Sequence, residues 1–484
     1  MFELRCLLQE SAQASPNQPC LIEARRTTTY AVLENRVTVL AQAFASLKLP
    51  AESRVALCLP NGVMFITAFL ALHRAKLVPV LISPKLPPAA VVAQAKFCGC
   101  RLGLSPGGVG KKDKATGLNW VDPGELFALG GEAPAPGGPP RPAKFPGEAH
   151  AAILFTSGSS GAPKAAVLSH RALYYNARGA NQNLPVGSKD VWFAALPMWH
   201  VGGLGIVFRC LMSGATIAFP TPDTGLESDL DELQVTHVSV VPTQLRRWLG
   251  SPGAAALAAR LKAVLVGGAP ASPDLLKVAF AAGFPLRLSY GMTETASQIA
   301  TTPTYFPEDE RFSCGRVLPS RELRVDEQGQ FLVRGMTLFS GYLRKDGTLD
   351  LPIDDDDWFA TGDLGRVDER GYVTVAGRLD NLFISGGENI QPEEIEAVLR
   401  RMPGVEDAII VPVDDDEFGH RPFAFVQSAD PVAPAALTAH VRSALSGFKV
   451  PVGVHPMPAG ESAGLKPSRA ALRKLAAKLP RFPG

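Results

Sequence analysis

Apolar positions in residues 31–49 recur every three or four residues, which predicts an amphipathic helix. Residues 54–59 form a short apolar run that reads as a buried strand, and 77–82 a second run with β-branched side chains. Between them, 63–72 is apolar on nearly every side, as in a largely buried helix. Alternating strand, helix and strand implies a parallel sheet covered by crossover helices. Residues 151–155 read as a further core strand, and 191–196, 216–219, 238–241 and 263–266 as short buried strands. The fold class is therefore α/β.

From 321 onward the texture changes to strand-like pieces, such as 329–334, separated by turns, which suggests a smaller β-rich subdomain. A boundary is expected near 377–380. Beyond it, 392–402 predicts a helix. Pro392 suits the first helical position, and Glu393 and Glu394 meet the positive end of the dipole. Ile395, Val398, Leu399 and Met402 share one face, and Gly404 follows as a stop. Two strand candidates, 408–413 and 422–426, and a basic helix over 468–478 complete a small α+β domain. Residues 130–147 are dominated by Pro, Gly and Ala and are expected to be an exposed connector.

Composition narrows the class. A chain of 484 residues is too long for one core. Hydrophobic residues at 46% and charged residues at 19% are ordinary for a soluble enzyme. A net charge of +2, without basic runs interleaved with aromatics, argues against a nucleic-acid partner and a membrane surface. Seven scattered cysteines are not a disulfide framework, and the C-x-C pair Cys98 and Cys100 lacks the spacing of a zinc site. Cys58 and Cys210 sit in apolar surroundings and read as buried small hydrophobes. Glu3 behind the initiator argues against a signal peptide, and no apolar run is long enough for a membrane span. A cytoplasmic protein is expected. A homodimer is compatible with this composition.

Thr156-Ser157-Gly158-Ser159-Ser160-Gly161-Ala162-Pro163-Lys164 follows a buried strand. Gly158 and Gly161 let backbone N–H groups face an anion, the hydroxyls add donors, and Lys164 adds positive charge. The G-x-x-x-x-G-K-[ST] spacing of a Walker loop is absent. A plain polar turn is the competing reading of the composition. The order of the nine residues resembles the signature loop of the adenylate-forming superfamily, T-S-G-[ST]-T-G-x-P-K-G, with Ser160 and Ala165 as departures.

Further segments follow in the order of that superfamily. Ser289-Tyr290-Gly291-Met292-Thr293-Glu294 resembles its Y-G-x-T-E segment. The resemblance implies Tyr290 and Gly291 against adenine, Thr293 on the α-phosphate, and Glu294 as a ligand of Mg2+. Gly268 and Ala269, in Gly267-Gly268-Ala269-Pro270, would line the acyl and adenine pocket. Asp363, in Trp358-Phe359-Ala360-Thr361-Gly362-Asp363-Leu364, would accept from the ribose hydroxyls. The acidic run just before it, 354–357, lacks the glycine and terminal glutamate of a calcium loop and reads as a solvated turn. Gly377-Arg378-Leu379-Asp380 resembles the hinge, with Arg378 on the ribose and Asp380 absorbing rotation. The implied domains are 1–378 and a mobile lid, 381–484. Gly386 and Gly387 would pass the pantetheine arm of coenzyme A, and Lys449 would aid that half-reaction. Lys466 is the expected catalytic lysine, although Leu465 separates it from Gly464 where the family reads G-K. The implied co-substrates are ATP and coenzyme A, with Mg2+, acting on a small carboxylic acid.

His200 would sit between acyl group and nucleotide. Arg209 lies in an apolar stretch, 203–212. A structural partner or an exposed helix face is one reading of it. A second substrate carboxylate, gripped in bidentate fashion, is the other. Together 196–206, Val241-Pro242-Thr243-Gln244-Leu245 and Gly291-Met292-Thr293-Glu294-Thr295-Ala296-Ser297-Gln298 resemble the o-succinylbenzoate–CoA ligase branch, whose substrate is a dicarboxylate.

Overall fold

The computed structural model describes residues 2–106, 118–129, 143–156, 163–428, 430–458 and 469–482. The expected first helix is Tyr30–Ser46. Thr29 starts it by accepting a hydrogen bond from the Val32 N–H at 3.3 Å, and Leu33, Val37, Leu40 and Phe44 bury one stripe. It ends before residue 49 because the chain turns out through Lys48 at φ 51°.

Among the described residues two large sheets form the body. The first runs in the order Leu349–Asp350, Gly341–Leu343, Lys164–Ser169, His150–Thr156, Val78–Leu81, Arg54–Leu57, Leu102–Leu104, Asn119–Val121. Its last five strands are parallel, and its first three join antiparallel. The second runs Arg316–Val317, Ser297–Thr301, Leu286–Met292, Ala263–Val266, His237–Val240, Val191–Phe193, Thr216–Ala218, Pro19–Glu23, Arg26–Thr29. The helix Val63–Arg74 lies buried beside the first sheet, as its all-round apolar character predicts. The α/β class read from the sequence is the architecture found.

Third, an antiparallel sheet joins Arg321–Val325, Gln330–Gly335, Phe359–Val367 and Val373–Arg378. The acidic run before it forms an exposed turn in which Asp354 Oδ1 accepts from the N–H groups of Asp356 and Trp358. Past the short 3-10 turn Leu379–Asn381, a separate core gathers around Ile395, Leu399, Ile410, Ala424 and Val441.

Several expected boundaries move. The helix predicted over 392–402 is Pro392–Leu399, and Met402 still packs against its core from the following turn. The strands expected at 408–413 and 422–426 extend to Val405–Asp415 and Gly419–Ser428, because their pairing continues into polar residues such as Asp414 opposite His420. The basic helix is Arg469–Ala476, and Ser468 lies outside the described residues. The connector reading of 130–147 fails at its end. Lys144–Pro146 pairs as a strand with Glu3–Arg5. A sheet edge can satisfy a Pro-containing segment that composition marks as loop. Among the described residues no helix is long and apolar enough to cross a membrane.

Candidate active site

Three sheets deliver the polar residues. Strand Leu286–Met292 carries Tyr290 and Gly291 and ends in the 3-10 turn Thr293–Thr295. The strand is irregular between Tyr290 and Gly291, where a side chain on Gly291 would strike the Ser297 carbonyl. Only glycine tolerates that approach. Thr293 is half-buried at the head of the turn, and Glu294 behind it is buried.

The Tyr290 hydroxyl donates to Asp363 Oδ2 at 2.8 Å, and Arg378 Nη1 donates to Asp363 Oδ1 at 2.9 Å. Antiparallel pairing sets Asp363 directly opposite Arg378. Arg378 Nη2 reaches Asp380 at 3.3 Å. Burial, then the charge of Asp363, pushes the Tyr290 phenol well above its ordinary range, so it remains a donor. Burial opposes the Arg378 charge, but Asp363 and Asp380 outweigh it and raise the guanidinium pKa.

A second group lies next to the first. Lys164 opens the strand Lys164–Ser169 and pairs with Thr156 across a hairpin. The Thr156 hydroxyl donates to the Lys164 carbonyl at 3.5 Å. Lys164 Nζ lies 4.8 Å from the Tyr342 ring centroid, and the Tyr342 hydroxyl donates to Glu294 Oε1 at 2.7 Å. Glu294 is 6% exposed, and among the described residues no cation pairs with it. A buried carboxylate held by one neutral donor, with no cationic partner, suits a divalent cation with oxygen ligands.

Ser157, Gly158, Ser159, Ser160, Gly161 and Lys466 lie outside the described residues. Gly268 adopts φ 79° beside Val241, and Ala269 follows it exposed.

His200 is exposed at the N-cap of the helix Val201–Ser213, and Gly203 in its first turn packs onto the Pro197 carbonyl. Asn61 pins the preceding turn, accepting from Met198 N and donating to the Leu196 carbonyl, each at 2.8 Å. Arg209, on that helix, is 4% exposed. Its Nε donates to Asn181 Oδ1 at 2.8 Å and its Nη2 to the Leu184 carbonyl at 3.0 Å. The guanidinium carbon lies 4.3 Å from the Trp192 ring centroid. The exposed-face reading of Arg209 is thereby excluded. Its partners are the Asn181 amide oxygen, main-chain carbonyls and an aromatic ring. Burial lowers its pKa to about 9, which leaves it cationic near neutrality.

Gly386 and Gly387, at φ 58° and 85°, form the two-residue turn between Phe383–Ser385 and Glu388–Ile390. Hairpin geometry alone therefore favours glycine at both positions. Lys449 Nζ pairs with Glu394 Oε2 at 2.5 Å. Asp380 lies in the 3-10 turn between the two regions of the chain.

Tyr342, Asn61, Asn181 and Trp192 carry no sequence signal for this region. Each reads in sequence as a core aromatic or a surface amide, and tertiary contact alone brings them to this region.

The chain is similar to known proteins over most of its length. The family described as "AMP-binding enzyme" matches residues 8–343, and "AMP-binding enzyme C-terminal domain" matches 394–461. The chain is 35% identical over 467 residues to the 2-succinylbenzoate–CoA ligase of Salmonella typhimurium, covering 96% of each. It superposes with a TM-score of 0.86 on the o-succinylbenzoate coenzyme A synthetase of Bacillus subtilis in complex with its acyl-adenylate intermediate, at 27% identity and covering 100% of each chain. The same Bacillus subtilis enzyme in complex with ATP and magnesium ion matches with a TM-score of 0.82 at 28% identity, covering 94% of this chain and 96% of that one.

Proposed function

The chain belongs to the AMP-binding enzyme family, and from that premise we propose that it is a 2-succinylbenzoate–CoA ligase that works through an acyl-adenylate. It is an AMP-forming acid–thiol ligase using ATP, Mg2+ and coenzyme A.

In the first half-reaction a carboxylate oxygen of the acid attacks the α-phosphorus of ATP. The bond to pyrophosphate breaks, and acyl-AMP forms. Thr293, Lys466 and the loop from Thr156 to Lys164, with Ser157, Gly158, Ser159, Ser160 and Gly161, offset charge on the phosphates. Glu294 holds the metal ion, which neutralises phosphate charge when bound. Asp363 and Arg378 orient the ribose, while Tyr290, Gly291 and Ala269 border the base. In the second half-reaction the thiolate attacks the acyl carbon and AMP leaves. The lid, 381–484, turns about Asp380 and brings Gly386, Gly387 and Lys449 to the thiol. Positioning supplies most of the rate.

The buried cation Arg209 carries the choice of acid. It is held over Trp192 by neutral oxygens, and among the described residues no carboxylate pairs with it. A second substrate carboxylate supplies that missing charge, with His200 and Gly268 at the mouth. Pyrophosphate release with a panel of acids tests this. Turnover of 2-succinylbenzoate no greater than that of benzoate or medium-chain fatty acids would overturn it. Thioester formation with coenzyme A alone excludes a carrier-protein-loading enzyme.

We propose a cytoplasmic location, where its seven unpaired thiols stay reduced; light scattering distinguishes a monomer from a homodimer.

A further inference from the structure

Lys164 and Glu294 carry opposite charges, yet they do not pair directly. Tyr342 stands between them. Its hydroxyl donates to Glu294 Oε1 at 2.7 Å, and its ring lies under Lys164 Nζ at 4.8 Å. Tyr342 is held from several sides. Its strand, Gly341–Leu343, pairs with the strand that begins at Lys164, with Tyr342 opposite Ala166. Phe339 meets its ring edge-on at 4.8 Å and 71°. The Phe339 N–H also donates to the Glu294 carbonyl at 2.8 Å. One short segment therefore holds both the side chain of Tyr342 and the backbone of Glu294.

We propose that Tyr342 is a positioning residue that keeps Glu294 aimed at the nucleotide's metal ion and Lys164 aimed at its phosphates, instead of at each other. The proposal rests on the roles given above to Glu294 and Lys164. A direct Lys–Glu pair in a half-buried site gains Coulomb energy and would spend both charges before ATP arrives. The phenol engages only part of the carboxylate, leaving acceptor sites for a cation. Its ring face attracts the ammonium without neutralising it.

The test uses the full chain, with Mn2+ as the metal probe. Binding of the Mn2+–ATP complex to the protein is read from the enhancement of the water-proton relaxation rate, against Mn2+–ATP without protein as the blank. Tyr342→Phe keeps the ring and removes the donor, and it should weaken Mn2+ binding about ten- to a hundredfold. Adenylation should fall at least tenfold further than thioester formation from supplied acyl-adenylate. Tyr342→Leu should additionally raise the KM for ATP through Lys164. Glu294→Gln is the reference. If it binds Mn2+ with ATP as the wild type does, the metal role of Glu294 fails. If it weakens binding but Tyr342→Phe does not, the Tyr342 proposal alone is overturned. Equal losses in both half-reactions with a lowered melting temperature also overturn it, since that is the signature of a structural residue.

Discussion

Asp363 takes a hydrogen bond from the Tyr290 hydroxyl at 2.8 Å on one carboxylate oxygen and from Arg378 at 2.9 Å on the other. Tyr290 belongs to the second large sheet, whereas Asp363 and Arg378 belong to the antiparallel sheet. The carboxylate thus ties two layers together and stays oriented before any nucleotide binds.

Replacing Asp363 with Asn keeps the shape and removes the charge. Arg378 then loses its strongest partner, and one acceptor becomes a donor facing the guanidinium. Hydrogen bonds to charged groups contribute about 1.5–3 kcal/mol. The KM for ATP in pyrophosphate exchange should therefore rise roughly ten- to a hundredfold. Tyr290→Phe removes a single donor and should cost less. An unchanged KM in Asp363→Asn would remove Asp363 from the nucleotide site.

Arg209 uses Nε and Nη2 on Asn181 and Leu184. A lysine has one nitrogen and cannot hold these partners and a substrate carboxylate together. Arg209→Lys should raise the KM for 2-succinylbenzoate at least about tenfold, in line with loss of a charge-assisted contact through the remaining nitrogen, Nη1. The KM for ATP should stay near that of the wild type. Equal changes for both substrates would argue for a packing role only.

The Gly386–Gly387 turn offers a way to separate the half-reactions. At φ 85° Gly387 has open space for a methyl group, so Gly387→Ala carries only backbone strain, about 1–2 kcal/mol. Gly386→Ala adds a contact with the Phe418 ring. Thioester formation from supplied acyl-adenylate should fall in both variants, further in Gly386→Ala, while pyrophosphate exchange is retained. Loss of exchange to the same extent would count against a coenzyme A role.

Acid should destabilise the fold through a buried histidine pair away from this site. His73 and His170 meet at 4.6 Å, and Phe145 stacks on His170 at 4.6 Å. Burial lowers His73 to about 4, despite its hydrogen bond to the Ala151 carbonyl. Burial, then His73, lowers His170 as well. The unfolded chain therefore binds more protons between the ordinary histidine value and about 4, and stability falls as pH drops through that window. At one pH unit below the ordinary value each histidine costs about 1.4 kcal/mol. Denaturant melts at pH 7.5 and 5.5 should show this loss, and His170→Asn should flatten the slope. A slope unaltered by that substitution would assign the acid sensitivity to other groups.

Much of the architecture was legible because burial periodicity is local. Runs such as 63–72 and 263–266 state their burial in consecutive residues, and they emerge as Val63–Arg74 and Ala263–Val266. Boundaries were less legible where pairing set them. Asp414 joins a strand because His420 lies opposite, and Lys144–Pro146 does so because Glu3–Arg5 offers an edge.

The motifs around Tyr290, Glu294, Asp363 and Arg378 could be read from order and residue type, since each is a contiguous string. By itself the sequence determined the family and the α/β class, and it nominated candidates for phosphate, metal and ribose chemistry. Only the tertiary structure decided which of them share hydrogen bonds. Tyr342 meets Glu294 across 48 positions of chain, and Asn181 meets Arg209 across 28. Neither contact leaves a local trace, because a half-buried aromatic in a strand and an amide in a helix satisfy the same pattern wherever they point. Their roles depend on strand pairing and helix packing, which bring distant positions within hydrogen-bonding range.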